Sequence, residues 1–129
     1  MKYEPIPERD EELAHALIGA AIEVHRCLGP GFIEGIYEDA LCYELEARGI
    51  PFRYQKEVLV PYKSILLPGQ RYDLLVGDRV LAELNAVSEL APIHEAQLFS
   101  YLRSLKLWLG LLINFNVKLL KDGIKRIVL

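Results

Sequence analysis

The sequence predicts an α/β domain, a mixed sheet flanked by helices, with elements in the order α-α-β-β-β-α-β-β. Three observations carry this. The first fifty residues hold two stretches with apolar residues at helical spacing, separated by Gly29-Pro30-Gly31. The middle holds runs rich in Val, Leu and Tyr, punctuated by turn residues. The last third has one more helical stretch and then Leu107-Trp108-Leu109-Gly110-Leu111-Leu112-Ile113, apolar on both parities, as a strand buried on both faces requires. A helix between strands implies a crossover, so an antiparallel meander leads into a mixed sheet.

Size and composition set the class. The chain has 129 residues, 52% of them hydrophobic. One domain of this size buries roughly two-thirds of its unfolded surface. Residues 1–10 read as an N-terminal arm and residues 11–129 as a single domain. No apolar run reaches the roughly 18 residues of a membrane helix, and Met1-Lys2-Tyr3-Glu4 does not resemble a signal peptide. The expectation is a cytoplasmic protein without a membrane partner. Cys27 and Cys42 have no metal-type spacing and read as reduced packing residues, as does Trp108. His15, His25 and His94 form no zinc signature.

Net charge is −3, which does not announce a nucleic-acid binder. The distribution is uneven. Residues 1–50 carry 4 basic and 11 acidic groups, whereas residues 103–129 carry 6 and 1. Those six cations could contact phosphates; a solvated face is the commoner use of such a cluster.

The elements follow in order. Asp10 suits a helix cap, and Leu13, Leu17, Ala20, Val24 and Leu28 continue at helical spacing until Gly29 and Pro30 stop them. Ile33, Ile36, Tyr37, Ala40, Leu41 and Leu45 make the stripe of a second helix, ended by Gly49 and Pro51. Glu34 borders that stripe, and Glu38 lies one turn further on. Phe52 to Tyr62 reads as a strand, and Lys63 to Gln70, with Pro68-Gly69, as a turn. Pro92 opens a third helix on which Gln97 and Tyr101 share a face. A last short strand, Ile124 to Leu129, follows the turn Lys121-Asp122-Gly123.

The hairpin from Arg71 to Asn85 organises the rest. Two carboxylates, Asp73 and Glu83, interrupt its apolar runs on either side of Gly77-Asp78. A buried carboxylate must be paired, solvated or metal-bound, and two close acids repel unless a cation lies between them. A two-residue loop would put them on opposite faces of the sheet. A three-residue turn, Gly77 to Arg79, or a β-bulge would put them side by side. From the hairpin alone, an exposed face carrying unrelated charges is the simpler account. Glu34 likewise reads either as a helix N-terminal acid favoured by the macrodipole or as a third acid aimed at the hairpin.

Taken together, Asp73, then Glu83-Leu84-Asn85, then Gln97-Leu98-Phe99-Ser100-Tyr101, with Glu34 upstream, resemble the PD-(D/E)XK nuclease superfamily. Within it the chain is similar to the branch with a Q-x-x-x-Y helix, as in RecB-type exonuclease domains. More narrowly it resembles the GxxExxY proteins, through Gly31, Glu34 and Tyr37, His94 to Leu98, Leu112 to Phe115, and Leu120 to Arg126. The resemblance covers about residues 11–129. It implies a restriction-endonuclease-like core and hydrolysis of nucleic-acid phosphodiesters with Mg2+ or Mn2+. It casts Asp73, Glu83 and Glu34 as metal ligands, and Gln97 and Tyr101 as residues orienting the site or the phosphate.

One position departs from the pattern. Asn85 stands where the superfamily has a lysine, whose ammonium stabilises the negative transition state. Natural loss of activity and deliberate disabling both remain open, as does a non-catalytic module binding nucleic acid or protein. Lys56 and Arg71 are nearby cations without positional support. An ordinary structural protein, with Asp73 and Glu83 in salt bridges to Arg71 or Arg79, is the third alternative. The resemblance also admits a homodimer, which no sequence feature selects.

Overall fold

The computed structural model describes residues 5–129. The expected arm over residues 1–10 falls partly outside that range, because residues 1–4 are not among those described. The first helix already starts at Glu8, inside the expected arm. It is α1, Glu8–Leu28, followed by α2, Glu34–Ala47. Five strands come next: β1, Phe52–Tyr54; β2, Glu57–Tyr62; β3, Ile65–Arg71; β4, Leu74–Val76; and β5, Val80–Asn85. Helix α3, Pro92–Leu105, then leads to β6, Leu109–Asn114, and a short 3-10 turn, Leu120–Gly123, leads to β7, Ile124–Val128.

The main sheet has the order β1-β4-β5-β6-β7. All its pairs are antiparallel except β5–β6, the pair that α3 bridges. This is the mixed sheet with a helical crossover that the element order predicts. Strand parity divides the core in two. Val80, Ala82 and Leu84 of β5, with Leu109, Leu111 and Ile113 of β6, pack with α1 and α2. Leu81 and Leu112 point the other way and pack with Leu98, Tyr101 and Leu102 of α3. Every residue of β6 is buried, as an apolar run on both parities demands.

The middle of the chain departs from the expected order. Phe52 to Tyr62 is kinked, because Gln55 adopts a left-handed conformation with φ +46°. The opposite strand breaks at the same level, between Arg71 and Leu74. Across the kink, Gln55 N–H donates to Asp73 O at 2.9 Å and Tyr72 N–H to Lys56 O at 3.2 Å. Beyond the crease, β2 and β3 leave the main sheet as a separate two-stranded ribbon lying against α3. The segment expected as a turn, Lys63 to Gln70, is therefore mostly strand. The actual turn is Lys63-Ser64, between the paired residues Tyr62 and Ile65. Pro68 and Gly69 are tolerated because β3 is exposed along its whole length and its register with β2 shifts opposite them.

Three smaller expectations change. Asp10 does not cap α1; it is buried in the first turn and pairs with Arg79 at 2.5 Å. On α2, Ile33 and Ile36 are exposed, and the buried stripe is Tyr37, Leu41 and Leu45 with Glu38. Cys27 is exposed and Trp108 is more than a third exposed, so neither is a core residue.

Candidate active site

The hairpin turn decides whether Asp73 and Glu83 can meet. Val76 pairs with Val80, which leaves Gly77, Asp78 and Arg79 as a three-residue loop. Gly77 is needed there. Its φ is +58°, and an added Cβ would lie 2.6 Å from a Leu13 methyl. Leu74 pairs with Ala82, so the next pair along brings Asp73 beside Glu83. Two hydrogen bonds fix them. Asp73 N–H donates to Glu83 Oε1 at 3.3 Å, and Leu84 N–H donates to Asp73 Oδ2 at 2.7 Å. Asp73 is not within a strand, as the residue pattern suggests, but in the crease between β3 and β4. There the strand pairing lapses, and its carboxylate reaches across to accept Leu84 N–H from β5.

Helix α2 brings the other acids. Glu34 is its first residue and exposed, while Glu38, one turn on, is buried. Each of Glu34, Glu38 and Asp73 offers a carboxylate oxygen, and these atoms all lie within 4.8 Å of one another. Glu83 lies beside this trio rather than in it. Glu38 is the residue the sequence reading left out. Its four-residue spacing from Glu34 was the available signal, since that spacing puts two side chains on one helical face.

Tyr37 sets the approach of α2. Its hydroxyl donates to Gly29 O at 2.6 Å and accepts from Phe32 N–H at 3.2 Å. Its ring stacks on Phe115 at 4.6 Å between centroids. A buried tyrosine with both ends engaged holds the α1–α2 connection, and so Glu34, in place.

Among the described residues, no Lys or Arg forms an ion pair with these acids. Burial, then the Asp73 carboxylate, then Glu34 push Glu38 up to about 7. Burial and the adjacent Asp73 raise Glu83 far above the ordinary carboxylate range. Burial and Asp73 also raise Glu34, with His94 opposing. Arg71 and Arg79, the cations of the salt-bridge alternative, are engaged elsewhere. Arg79 pairs with Asp10, and Arg71 donates to Gln55 O at 3.4 Å.

Asn85 ends β5 with the parity of Glu83 and Leu81, on the α3 side of the sheet. Its side-chain Nδ2 is buried without a hydrogen-bond partner among the described residues, an arrangement that costs about 1–3 kcal/mol if nothing fills it. Asn114, opposite Asn85 on β6, fixes the chain just beyond. It accepts Val87 N–H at 3.1 Å and donates to Val87 O at 2.9 Å.

Gln97 and Tyr101 stand on α3 as a linked pair. Gln97 Nε2 donates to the Tyr101 hydroxyl at 3.0 Å, and that hydroxyl donates to Gln70 Oε1 on β3. Burial, then the nearby Glu83, raise the Tyr101 phenol. Gln70 is a second member the sequence reading missed, because it lay in the stretch expected as a turn.

The donor set suits a hard divalent cation. Mg2+ takes carboxylate oxygens and favours one or two protein carboxylates with the rest of its shell open to water and phosphate. Glu34, Glu38 and Asp73 are hard donors that are close, mutually repelling and unneutralised, so the residues fit such an ion.

A family model described as the PD-(D/E)XK nuclease superfamily matches residues 11–127. No curated protein matches the chain, and no solved structure does either. The match spans nearly the whole chain, both helical layers and the sheet with its creased hairpin, and so this protein belongs to the PD-(D/E)XK nuclease superfamily.

Proposed function

We propose that the chain is a metal-dependent nuclease that hydrolyses nucleic-acid phosphodiesters, with turnover slowed by Asn85. The observation that carries this is the convergence of Glu34, Glu38 and Asp73 within 4.8 Å, with Glu83 bonded to the Asp73 backbone and no ion-pair partner for these acids among the described residues. A folding chain gains nothing from acids gathered this way. A bound Mg2+ or Mn2+ would supply a water of lowered pKa and charge neutralisation at the phosphate.

Glu34, Glu38 and Asp73 would hold that ion. Glu83, bonded to the Asp73 backbone N–H, would stand beside that ion. Gln97 and Tyr101, braced by Gln70, would orient a phosphate oxygen from the α3 side. Asn85 can donate a hydrogen bond through Nδ2 to that oxygen but brings no charge. Loss of one such electrostatic group costs about 10²–10³ in rate.

The second reading is a non-catalytic module that binds nucleic acid or protein on a nuclease fold. Asn85 in the lysine position is the observation that favours it. The two separate in one experiment. Wild type, Asn85→Lys and Asp73→Asn are incubated with single- and double-stranded DNA and RNA, with Mg2+, Mn2+ or EDTA. The expected result is weak metal-dependent cleavage by wild type, about 10²–10³ more by Asn85→Lys, and none by Asp73→Asn. Absence of cleavage by both wild type and Asn85→Lys on every substrate would reject hydrolysis and leave the binding module.

A further inference from the structure

A cavity of about 520 Å3 opens between the C-terminal end of α1 and the segment following β6. Its wall holds Arg26, Lys118 and Lys121 and no carboxylate, in a chain of net charge −3. Arg26 is partly satisfied by two hydrogen bonds to Glu23. Lys118 and Lys121 are exposed and form no ion pair with any described residue. Two exposed apolar side chains, Ile22 and Leu119, also line it, with His25, Leu120, Gly29 and Pro30. Cations beside apolar surface suit a sugar–phosphate unit, and the volume lies within the ~300–1,000 Å3 of small-ligand sites.

Its place in the fold matters more than its composition. Asn85 and Asn114 are paired at the carboxyl ends of the parallel strands β5 and β6. Glu83 lies at that end of β5, and Lys118 follows that end of β6 by four residues. Gly29 and Pro30 of the cavity wall belong to the connection that delivers Glu34 to the acid cluster. Pro30 and Glu34 are four positions apart, a reach of at most about 14 Å. Part of the cavity wall therefore lies within about 14 Å of Glu34, a few nucleotide steps from the acids. The carbonyl end of α1 disfavours an anion there. His25 O is bonded by Gly29 N–H and the cap carbonyl Gly29 O by the Tyr37 hydroxyl, and the full charges of Lys118 and Lys121 oppose the half-charge of the helix end.

We infer that this cationic cavity anchors the backbone of the nucleic-acid strand whose continuation passes the acid cluster. The inference rests on the nuclease reading. Its physical motive is that an acid cluster repels a phosphodiester, so the strand needs a cationic hold close to the cluster but outside it. The anchor recognises phosphate and sugar and carries no base specificity.

The test compares two charge reversals of equal size. Lys118→Glu/Lys121→Glu alters the cavity. Arg103→Glu/Lys106→Glu is the control, at the end of α3 that precedes β6 and therefore at the opposite end of the parallel strands. Binding of labelled single- and double-stranded DNA is followed by anisotropy in EDTA over a range of salt, with cleavage in Mn2+ measured in parallel and folding checked by thermal melts. The cavity variant should bind at least tenfold more weakly, with the salt slope reduced by roughly 1.4 to 1.8; the control should stay within about twofold of wild type. Equal weakening in both variants, an unchanged cavity variant, or a wild type that binds neither DNA would overturn the anchor. Displacement of the strand by an equimolar free mononucleotide would overturn it in favour of a nucleotide site. Selective loss of binding in the cavity variant, with no cleavage by any form including Asn85→Lys, would uphold the anchor and reject the nuclease reading.

Discussion

Two regions of this protein take carboxylates out of water, and they do it differently. At the start of α1, Asp10 is 1% exposed and meets the Arg79 guanidinium at 2.5 Å. At the crease, Glu38 is 7% exposed and converges with Glu34 and Asp73, with Gln55 as its polar neighbour and no ion-pair partner among the described residues. The first arrangement ties α1 to the β4–β5 turn and is complete in itself. The second stays unfavourable until something cationic arrives. Compensated burial marks a structural role, and uncompensated burial of several acids marks a site awaiting a ligand.

The sharpest way to break this contrast is to neutralise one acid in each region. Asp73→Asn should lower any metal-dependent cleavage more than about 100-fold, beyond the ~10–100-fold typical of outer metal partners. It should nonetheless raise the melting temperature in EDTA, because it removes repulsion while an amide oxygen can still accept Leu84 N–H. A lower melting temperature would show that the crease acids are structural after all. Arg79→Ala is the opposite case. It leaves Asp10 buried without its partner and should destabilise by about 3 kcal/mol, the low end for a broken buried pair because Arg79 is half exposed. Denaturant unfolding with no change in midpoint would remove the distinction between the regions.

Metal should act on one region alone. At a hundredfold excess over its dissociation constant, Mn2+ should stabilise by about 2.7 kcal/mol, roughly 8 °C for a domain of this size. The shift should vanish in Asp73→Asn and persist in Arg79→Ala. Melting curves indifferent to the ion in the wild type would mean that the acids hold no metal.

Proton binding offers a related test. Glu38 and Glu83 have pKa values raised above the ordinary 4.5, Glu38 to about 7. Above pH 4.5 the folded chain therefore holds protons that the unfolded chain has released, and stability falls as pH rises through the folded values. Glu11 and Glu23 are lowered instead, so their opposite effect lies below pH 4.5. Melts in EDTA should show the protein less stable at about pH 8 than at about pH 5.5, with saturating Mn2+ reversing the trend. A flat or rising profile without metal would contradict the acid cluster.

The smallest effect concerns how the site is held. Tyr37→Phe keeps the ring stacked on Phe115 but removes the bonds to Gly29 O and Phe32 N–H. It should cost about 1 kcal/mol and weaken Mn2+ binding severalfold through a looser Glu34, measured by calorimetry. Unchanged affinity would restrict Tyr37 to packing.

Periodicity alone determined the helices, the fully buried β6 and the crossover, because these depend on which residues must leave water along a regular element. Parity arithmetic went one step further and stated the condition for Asp73 and Glu83 to meet, which the three-residue loop at Gly77 satisfies. The sequence did not show the crease. Gln55 carries no signature of a left-handed residue, and Pro68-Gly69 signals a turn where the chain runs on as an exposed strand. Nor did it single out Glu38, whose carboxylate lies within 4.8 Å of those of Glu34 and Asp73. Helical spacing fixes the face a residue shares, whereas the distance from that face to a strand crease depends on how α2 is anchored, here through Tyr37, Gly29 and Phe115. Local pattern decided which residues turn inward. Only the tertiary structure decided which of them meet, because that depends on contacts between segments far apart in the chain.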